Sequence, residues 1–191
     1  MNFSAVILAG GKSSRMGRDK AFLEFEGKTL LARQVELAHE VGAKEIFISG
    51  RVNTDYSAFG CPVLVDNFSD AGPLAGIERA LHICSTPIML VLAVDMPNMT
   101  TSFLQHLAAH CVEDIGAIPR VGGRIQPLAA FYPKAALQLS ASSLSSRDNT
   151  VIRFAEQCVK DHLANFIELP MSEAPRFSNW NAPPDVPKRL N

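Results

Sequence analysis

Leu8-Ala9-Gly10-Gly11-Lys12-Ser13-Ser14-Arg15-Met16-Gly17-Arg18-Asp19-Lys20 follows directly on the apolar run Ala5-Val6-Ile7-Leu8. That run reads as a short buried strand. A strand that opens into a Gly-rich loop bearing Lys and Arg is suited to phosphates. Its glycines let backbone N–H groups approach an anion, and Arg15, Arg18 and Lys20 supply positive charge. An ordinary strand-to-helix loop with solvated charges is the alternative; the glycines and cations together favour phosphate. Two familiar phosphate loops do not fit. A Walker A loop would require glycine at Val6, and G-x-G-x-x-G counted from Gly10 would require it at Lys12.

Outward from this loop, Leu30, Leu31, Val35, Leu37, Ala38 and Val41 recur at near-helical spacing, and Gly42 closes the segment. Ile46-Phe47-Ile48 and Val63-Leu64-Val65 read as strands, the second ending at Asp66. Gly72-Pro73 opens a helix reaching about Cys84, with proline suited to the first helical position. Residues 88–94 form a continuous apolar run, expected of a strand buried on both faces, and it ends at Asp95. A helix over 101–112, a strand over 115–119 and a Gly122-Gly123 hairpin turn follow. Beyond them come a returning run over 126–132, helices over about 134–144 and 149–158, and a strand near 166–169. The Pro-containing tail is expected to be extended before a short final helix. This alternation predicts an α/β fold: three layers around a mostly parallel sheet, in a single domain spanning 1–191.

A chain of 191 residues, 47% hydrophobic and 19% charged, can bury a core and does not have the composition of a disordered segment. The net charge of −1 gives no global pull toward nucleic acid or anionic membranes, so phosphate binding must be local. Met1-Asn2-Phe3-Ser4 lacks the basic region of a signal peptide, and no stretch approaches the ~20 apolar residues of a membrane span. The expectation is a cytoplasmic protein with neither nucleic acid nor membrane as a partner. Cys61, Cys84, Cys111 and Cys158 form no C-x-x-C pair and read as reduced structural thiols, and no histidine set has metal-ligand spacing.

In open α/β sheets ligands bind at the carboxyl ends of strands. Three strands here end in residues with chemical potential: Leu8-Ala9-Gly10-Gly11, Asp66 and Asp95. Asp95 could cap the next helix, although Thr100 or Thr101 is better placed to do so. A carboxylate near a phosphate loop suits Mg2+, or Mn2+ in its place, which takes one or two carboxylates together with phosphate oxygens and water.

The 8–20 stretch resembles the nucleotidyltransferase signature L-A-G-G-x-S-x-R-M-G-x-D-K, in the form used by molybdenum cofactor guanylyltransferases. Every fixed position is present, and the resemblance runs from residue 6 to residue 185. It implies a Rossmann-like nucleotidyltransferase fold whose loop wraps GTP, with contacts from Leu8, Ala9, Gly10, Gly11 and Lys20. Arg15 and Lys20 would face the phosphates as catalytic residues. Asp95-Met96-Pro97 corresponds to the family's C-D-x-P without its Cys, which implies that Asp95 is a catalytic Mg2+ ligand that also meets GTP. Residues 66–76 resemble D-x-x-P-G-P-L-A-G with Ala71 in place of a proline, implying GTP contacts from Asp66, Gly72 and Gly76. Ser49 falls on a nucleotide-contacting position where the family often has Asn.

Gln126-Pro127-Leu128 and Phe177-Ser178-Asn179-Trp180-Asn181 resemble segments that lie toward the pterin. Gln126, Asn179 and Asn181 therefore suit pterin contacts, and equally suit hairpin packing and a capped terminal helix. The implied reaction joins GMP from GTP to the terminal phosphate of the molybdopterin cofactor, releasing pyrophosphate. Molybdoenzymes or their chaperones are the implied recipients of the product. Cytidylyl relatives tend to show L-A-A-G and lack G-P-L-A-G, and sugar nucleotidyltransferases run longer. A non-catalytic nucleotide-binding assembly protein would be favoured by loss of Lys20 or Asp95, and both are present.

Overall fold

A computed structural model describes residues 1–10, 20–65, 72–112, 114–146 and 150–180. Phe3–Leu8 forms β1. A 3-10 turn at Lys20–Phe22 leads to a small hairpin, β2 (Glu24–Phe25) and β3 (Lys28–Thr29). Thr29 then starts α1 (Leu30–Glu40): its hydroxyl accepts from Ala32 N–H at 3.2 Å, a cap that contributes about 1 kcal/mol. Next come β4 (Ile46–Ser49), β5 (Val63–Leu64), α2 (Pro73–Ile83), β6 (Ile88–Ala93) and α3 (Thr101–Ala108). The rest of the chain supplies β7 (Gly116–Val121), β8 (Arg124–Ile125), β9 (Ala129–Pro133), α4 (Leu137–Ser145), α5 (Val151–Lys160) and β10 (Ala164–Leu169). A 3-10 segment, Met171–Phe177, follows where an extended tail was expected. The helix expected over 101–112 ends early. Asp114 takes a φ of 63°, and Val112 bridges Ile115, which turns the chain into β7.

The main sheet runs β10-β7-β9-β6-β1-β4-β5, with β8 paired to β7. β1 lies parallel to β4 and β6, β5 is parallel to β4, and β10 is parallel to β7. Only β9 and β8, among the described strands of this sheet, pair antiparallel with their neighbours. The side chains of the central strands alternate between two cores, as a pleated strand buried on both faces requires. Ala5, Ile7, Leu90 and Leu92 meet Leu31 and Val35 of α1 and Leu104 and Leu107 of α3 on one face. Val6, Met89 and Val91 meet Ile77 and Leu81 of α2, Leu144 of α4 and Phe154 of α5 on the other. The three-layer, mostly parallel α/β expectation is borne out.

One end of the sheet is closed by polar contacts. Ser4 Oγ donates to Glu45 Oε2 at 2.6 Å, and Ser85 N–H donates to the same oxygen at 2.9 Å. The Ser4 hydroxyl first, and the Ser85 amide second, hold the Glu45 carboxyl below its ordinary range. Its contribution to stability is therefore present at neutral pH and lost only as pH falls through the lowered value. All four cysteines are free, and burial pushes the thiols of Cys111 and Cys158 up to about 12, which keeps them protonated and inert. Among the described residues no helix is long and apolar enough to cross a membrane.

Candidate active site

The opposite, carboxyl end of the sheet brings together Ser49, Lys20 and Asp95 from among the residues singled out in the sequence. Leu8 stands in register with both Ser49 and Ala93, so β1, β4 and β6 end side by side. The chain leaves these strands under tight control: Ala9 N–H donates to Ser49 O at 2.8 Å, and Val94 N–H donates to Leu8 O at 3.2 Å. On the other flank, Ala93 N–H donates to Leu128 O at 2.8 Å. Because β9 runs antiparallel, its start rather than its end arrives at this edge, bringing Gln126 with it. Gln126 N–H donates to Pro119 O at 2.9 Å. The buried Tyr132 hydroxyl holds Pro127 O at 2.9 Å, and burial pushes that hydroxyl well above its ordinary range, so it remains a donor.

Lys20 and Asp95 meet here. The Lys20 ammonium lies 2.8 Å from Asp95 Oδ2, with the two side chains 19% and 16% exposed. The turn carrying Lys20 is anchored by its other two residues. Ala21 is buried, and Phe22 stacks on Tyr56 with ring centroids 5.9 Å apart and 16° between planes. Tyr56 in turn lies over Gly50, where a Cβ would collide with its ring, and its hydroxyl accepts from Arg51 N–H at 3.2 Å. Neither Gly50 nor Tyr56 carries a motif; an isolated glycine after a strand gives no sign that an aromatic ring will cover it.

Asp95 does not cap α3. Thr100 does, accepting from Phe103 N–H at 3.4 Å, which leaves the Asp95 carboxylate to Lys20. The C-terminal segment lies along the Asp95 loop. Asn98 donates to Pro175 O at 3.1 Å, Arg176 donates to Thr100 Oγ1 at 2.9 Å, and Phe177 meets Phe103 edge-on at 5.5 Å. Trp180 N–H donates to Asp95 O at 3.0 Å, while its buried ring meets Phe25 edge-on at 4.9 Å. Asn179 is thereby exposed next to this contact. Gly11, Arg15, Asp66 and Asn181 lie outside the described residues, as does the short final helix expected in the tail.

Gly72 and Gly76 have different tasks. Gly72 is exposed and opens α2 with φ 66° and ψ −160°, a region that essentially only glycine occupies. Gly76 is buried: a Cβ there would collide with Ser49 Oγ and come within 2.9 Å of Leu8 Cδ2. It lets α2 lie directly on the ends of β1 and β4, and the Ser49 hydroxyl is enclosed beneath it. Gly76→Ala should therefore lower stability by about 1–3 kcal/mol through overpacking. At roughly 2–4 °C per kcal/mol for a chain of this size, a thermal melt reads that directly. An unchanged Tm would show that α2 shifts freely over these strands.

Whether the site suits Mg2+ depends on its donors. Among the described residues no three of His, Cys, Asp and Glu converge on one point. Asp95 without a converging His or Cys set among the described residues suits a hard ion that takes one carboxylate and draws its other ligands from elsewhere, and does not suit zinc. Asp95 Oδ2 already accommodates one positive charge, that of Lys20.

The carboxyl edge of a mostly parallel sheet, here carrying the Lys20–Asp95 pair, is where open α/β proteins bind their ligands. Residues 5–160 match the MobA-like NTP transferase domain, and the chain belongs to that family. It is 37% identical over 185 residues to a protein of Opitutus terrae described as a probable molybdenum cofactor guanylyltransferase, covering 95% of this chain and 92% of that one. The molybdenum cofactor guanylyltransferase of Syntrophotalea carbinolica is 32% identical over 164 residues, covering 84% of this chain and 77% of that one. Among solved structures, molybdopterin-guanine dinucleotide biosynthesis protein A from Archaeoglobus fulgidus shares the fold. Its TM-score is 0.73 at 22% identity, covering 95% of this chain and 94% of that one.

Proposed function

We propose that the protein transfers GMP from GTP to the terminal phosphate of molybdopterin, forming molybdopterin guanine dinucleotide and pyrophosphate. The observation that carries this reading is the meeting of Lys20 and Asp95 at the sheet edge in a chain of this family. A phosphate oxygen of the pterin forms the new bond to the α-phosphorus of GTP, and the bond between the α-phosphorus and the bridging oxygen to the β-phosphate breaks. Two polyanions must meet, so the task of the protein is charge neutralisation and alignment. Lys20 and Arg15 stabilise negative charge on the triphosphate and on the departing pyrophosphate, with Gly10 and Gly11 offering backbone donors. Asp95 would hold Mg2+, which when bound neutralises phosphate oxygens and steadies the α-phosphate. No general base is required, because a phosphate monoester is already largely ionised near neutrality.

In the same reading, Leu8, Ala9, Ser49, Asp66, Gly72 and Gly76 shape the nucleotide side, and Gln126, Asn179 and Asn181 the pterin side. Residues 1–191 act as one nucleotidyltransferase domain in the cytoplasm, passing product to molybdoenzymes or their chaperones. Pyrophosphate release measured with each of the four nucleotides, with and without molybdopterin, tests the assignment. Turnover should need molybdopterin and be clearly faster with GTP than with CTP or ATP. Preference for CTP would make the protein a cytidylyltransferase, and nucleotide binding without pyrophosphate release would make it a non-catalytic assembly protein.

A further inference from the structure

Both carbonyls of the Asp95-Met96 unit are held from distant parts of the chain. Trp180 N–H reaches Asp95 O, and Gln34 Nε2 donates to Met96 O at 2.9 Å across a sequence separation of 62. Gln34 is 1% exposed and lies on the buried stripe of α1 with Leu30, Leu31, Val35 and Ala38. Its Oε1 is buried and has no hydrogen-bond partner among the described residues. A leucine at this position would complete the apolar stripe, whereas a buried amide oxygen without a donor destabilises the fold. A polar group held in a core at such a disadvantage marks a place where a local packing rule yields to function. What Gln34 supplies is one donor, aimed at the carbonyl of the residue after Asp95. That bond holds the Met96–Pro97 peptide, one residue beyond Asp95, and together with the Trp180 bond to Asp95 O it brackets the backbone from which the Asp95 carboxylate projects.

We propose that Gln34 is a positioning residue for a cation site at Asp95, orienting that carboxylate through the Met96 carbonyl. The inference rests on the reading of Asp95 as a metal ligand. Partners that orient a ligand change metal affinity by roughly 10–100-fold when removed. The test uses the full chain with GTP and Mn2+, free Mn2+ being followed by electron paramagnetic resonance, alongside a thermal melt. In Gln34→Leu the Kd for Mn2+ should rise about tenfold or more. Its Tm should stay close to that of the wild type, because loss of the unpartnered Oε1 is offset by the Met96 carbonyl losing its donor. The Mg2+ concentration for half-maximal turnover should rise in step, and turnover should recover toward the wild-type value at saturating Mg2+. Gln34→Met, unbranched and also without a donor, should show the same weakening, so that side-chain shape is not the cause. Mn2+ binding lost in Asp95→Asn but unchanged in both Gln34 variants overturns the Gln34 proposal alone, whatever their Tm. Mn2+ binding that survives Asp95→Asn overturns the reading of Asp95, and the role of Gln34 with it. Absence of dinucleotide synthesis by the wild type bears instead on the proposed reaction, since the Mn2+ measurements do not depend on it.

Discussion

Asp95→Asn should leave the protein folded, reduce turnover by about 10²-fold or more, and raise the Mg2+ needed for the residual activity. Asp95 lies just past β6, whose residues are all buried, and its backbone is fixed on three sides. Val94 is tied to β1, Ala93 to the residue preceding β9, and the Asp95 carbonyl to Trp180. Asparagine preserves size and one coordinating oxygen in this rigid setting, and removes only the negative charge that draws in a dication. A Mg2+ titration of turnover for wild type and variant, with a melt to verify folding, reads the effect. An unchanged Mg2+ requirement would make Asp95 structural, and the ligand would have to be sought at Asp66, Asp70 or Asn181.

For Lys20→Ala the expected loss in kcat/KM is also on the order of 10²-fold, as for removal of one contact to charge developing in a transition state. The ion pair adds a second expectation of opposite sign. An ammonium 2.8 Å from Asp95 Oδ2 competes with any dication for that oxygen. Without nucleotide, the alanine variant should bind Mn2+ more tightly than the wild type while turning over far more slowly. Steady-state kinetics and Mn2+ binding on the same preparation separate the two effects. Near-normal activity with unchanged melting would reduce Lys20 to a solvated cation, and unchanged Mn2+ binding would show that the carboxylate is open to metal regardless of Lys20.

The parts of the site that arise from local chemistry were legible in the sequence. An apolar run ending at Gly10, a longer one ending in Asp95, and Gly72-Pro73 opening a helix each have a local physical cause, and each falls at the same sheet edge. Helix limits were read less well: α3 gives way after Ala108 to the turn bonds His110 N–H to Leu107 O and Cys111 N–H to Ala108 O, which apolar spacing alone does not reveal. Gln34 was not visible, because one polar residue in an amphipathic helix reads as part of its wet face. Only the fold shows that its stripe is buried and that Met96 lies opposite. Gly50 and Tyr56 escaped notice for a similar reason: their contact is a matter of shape across a loop. The reversal of β9, which delivers Gln126 to the site by its amino end, depends on strand order and not on the composition of the strand.

The hydrogen bond from Trp180 to Asp95 also has a consequence for how the protein is made. During synthesis the earliest strand to emerge, β1, is destined for the middle of the sheet and must wait for β4 and then β6 to flank it. The loop after β6 waits longer still, since its carbonyl finds its partner only when residue 180 has left the ribosome. A nascent chain can thus gather its nucleotide-facing strands well before the carboxylate beside them is locked. That contact joins residues far apart in the sequence, so it forms only after everything between them has been made, an order set by topology alone.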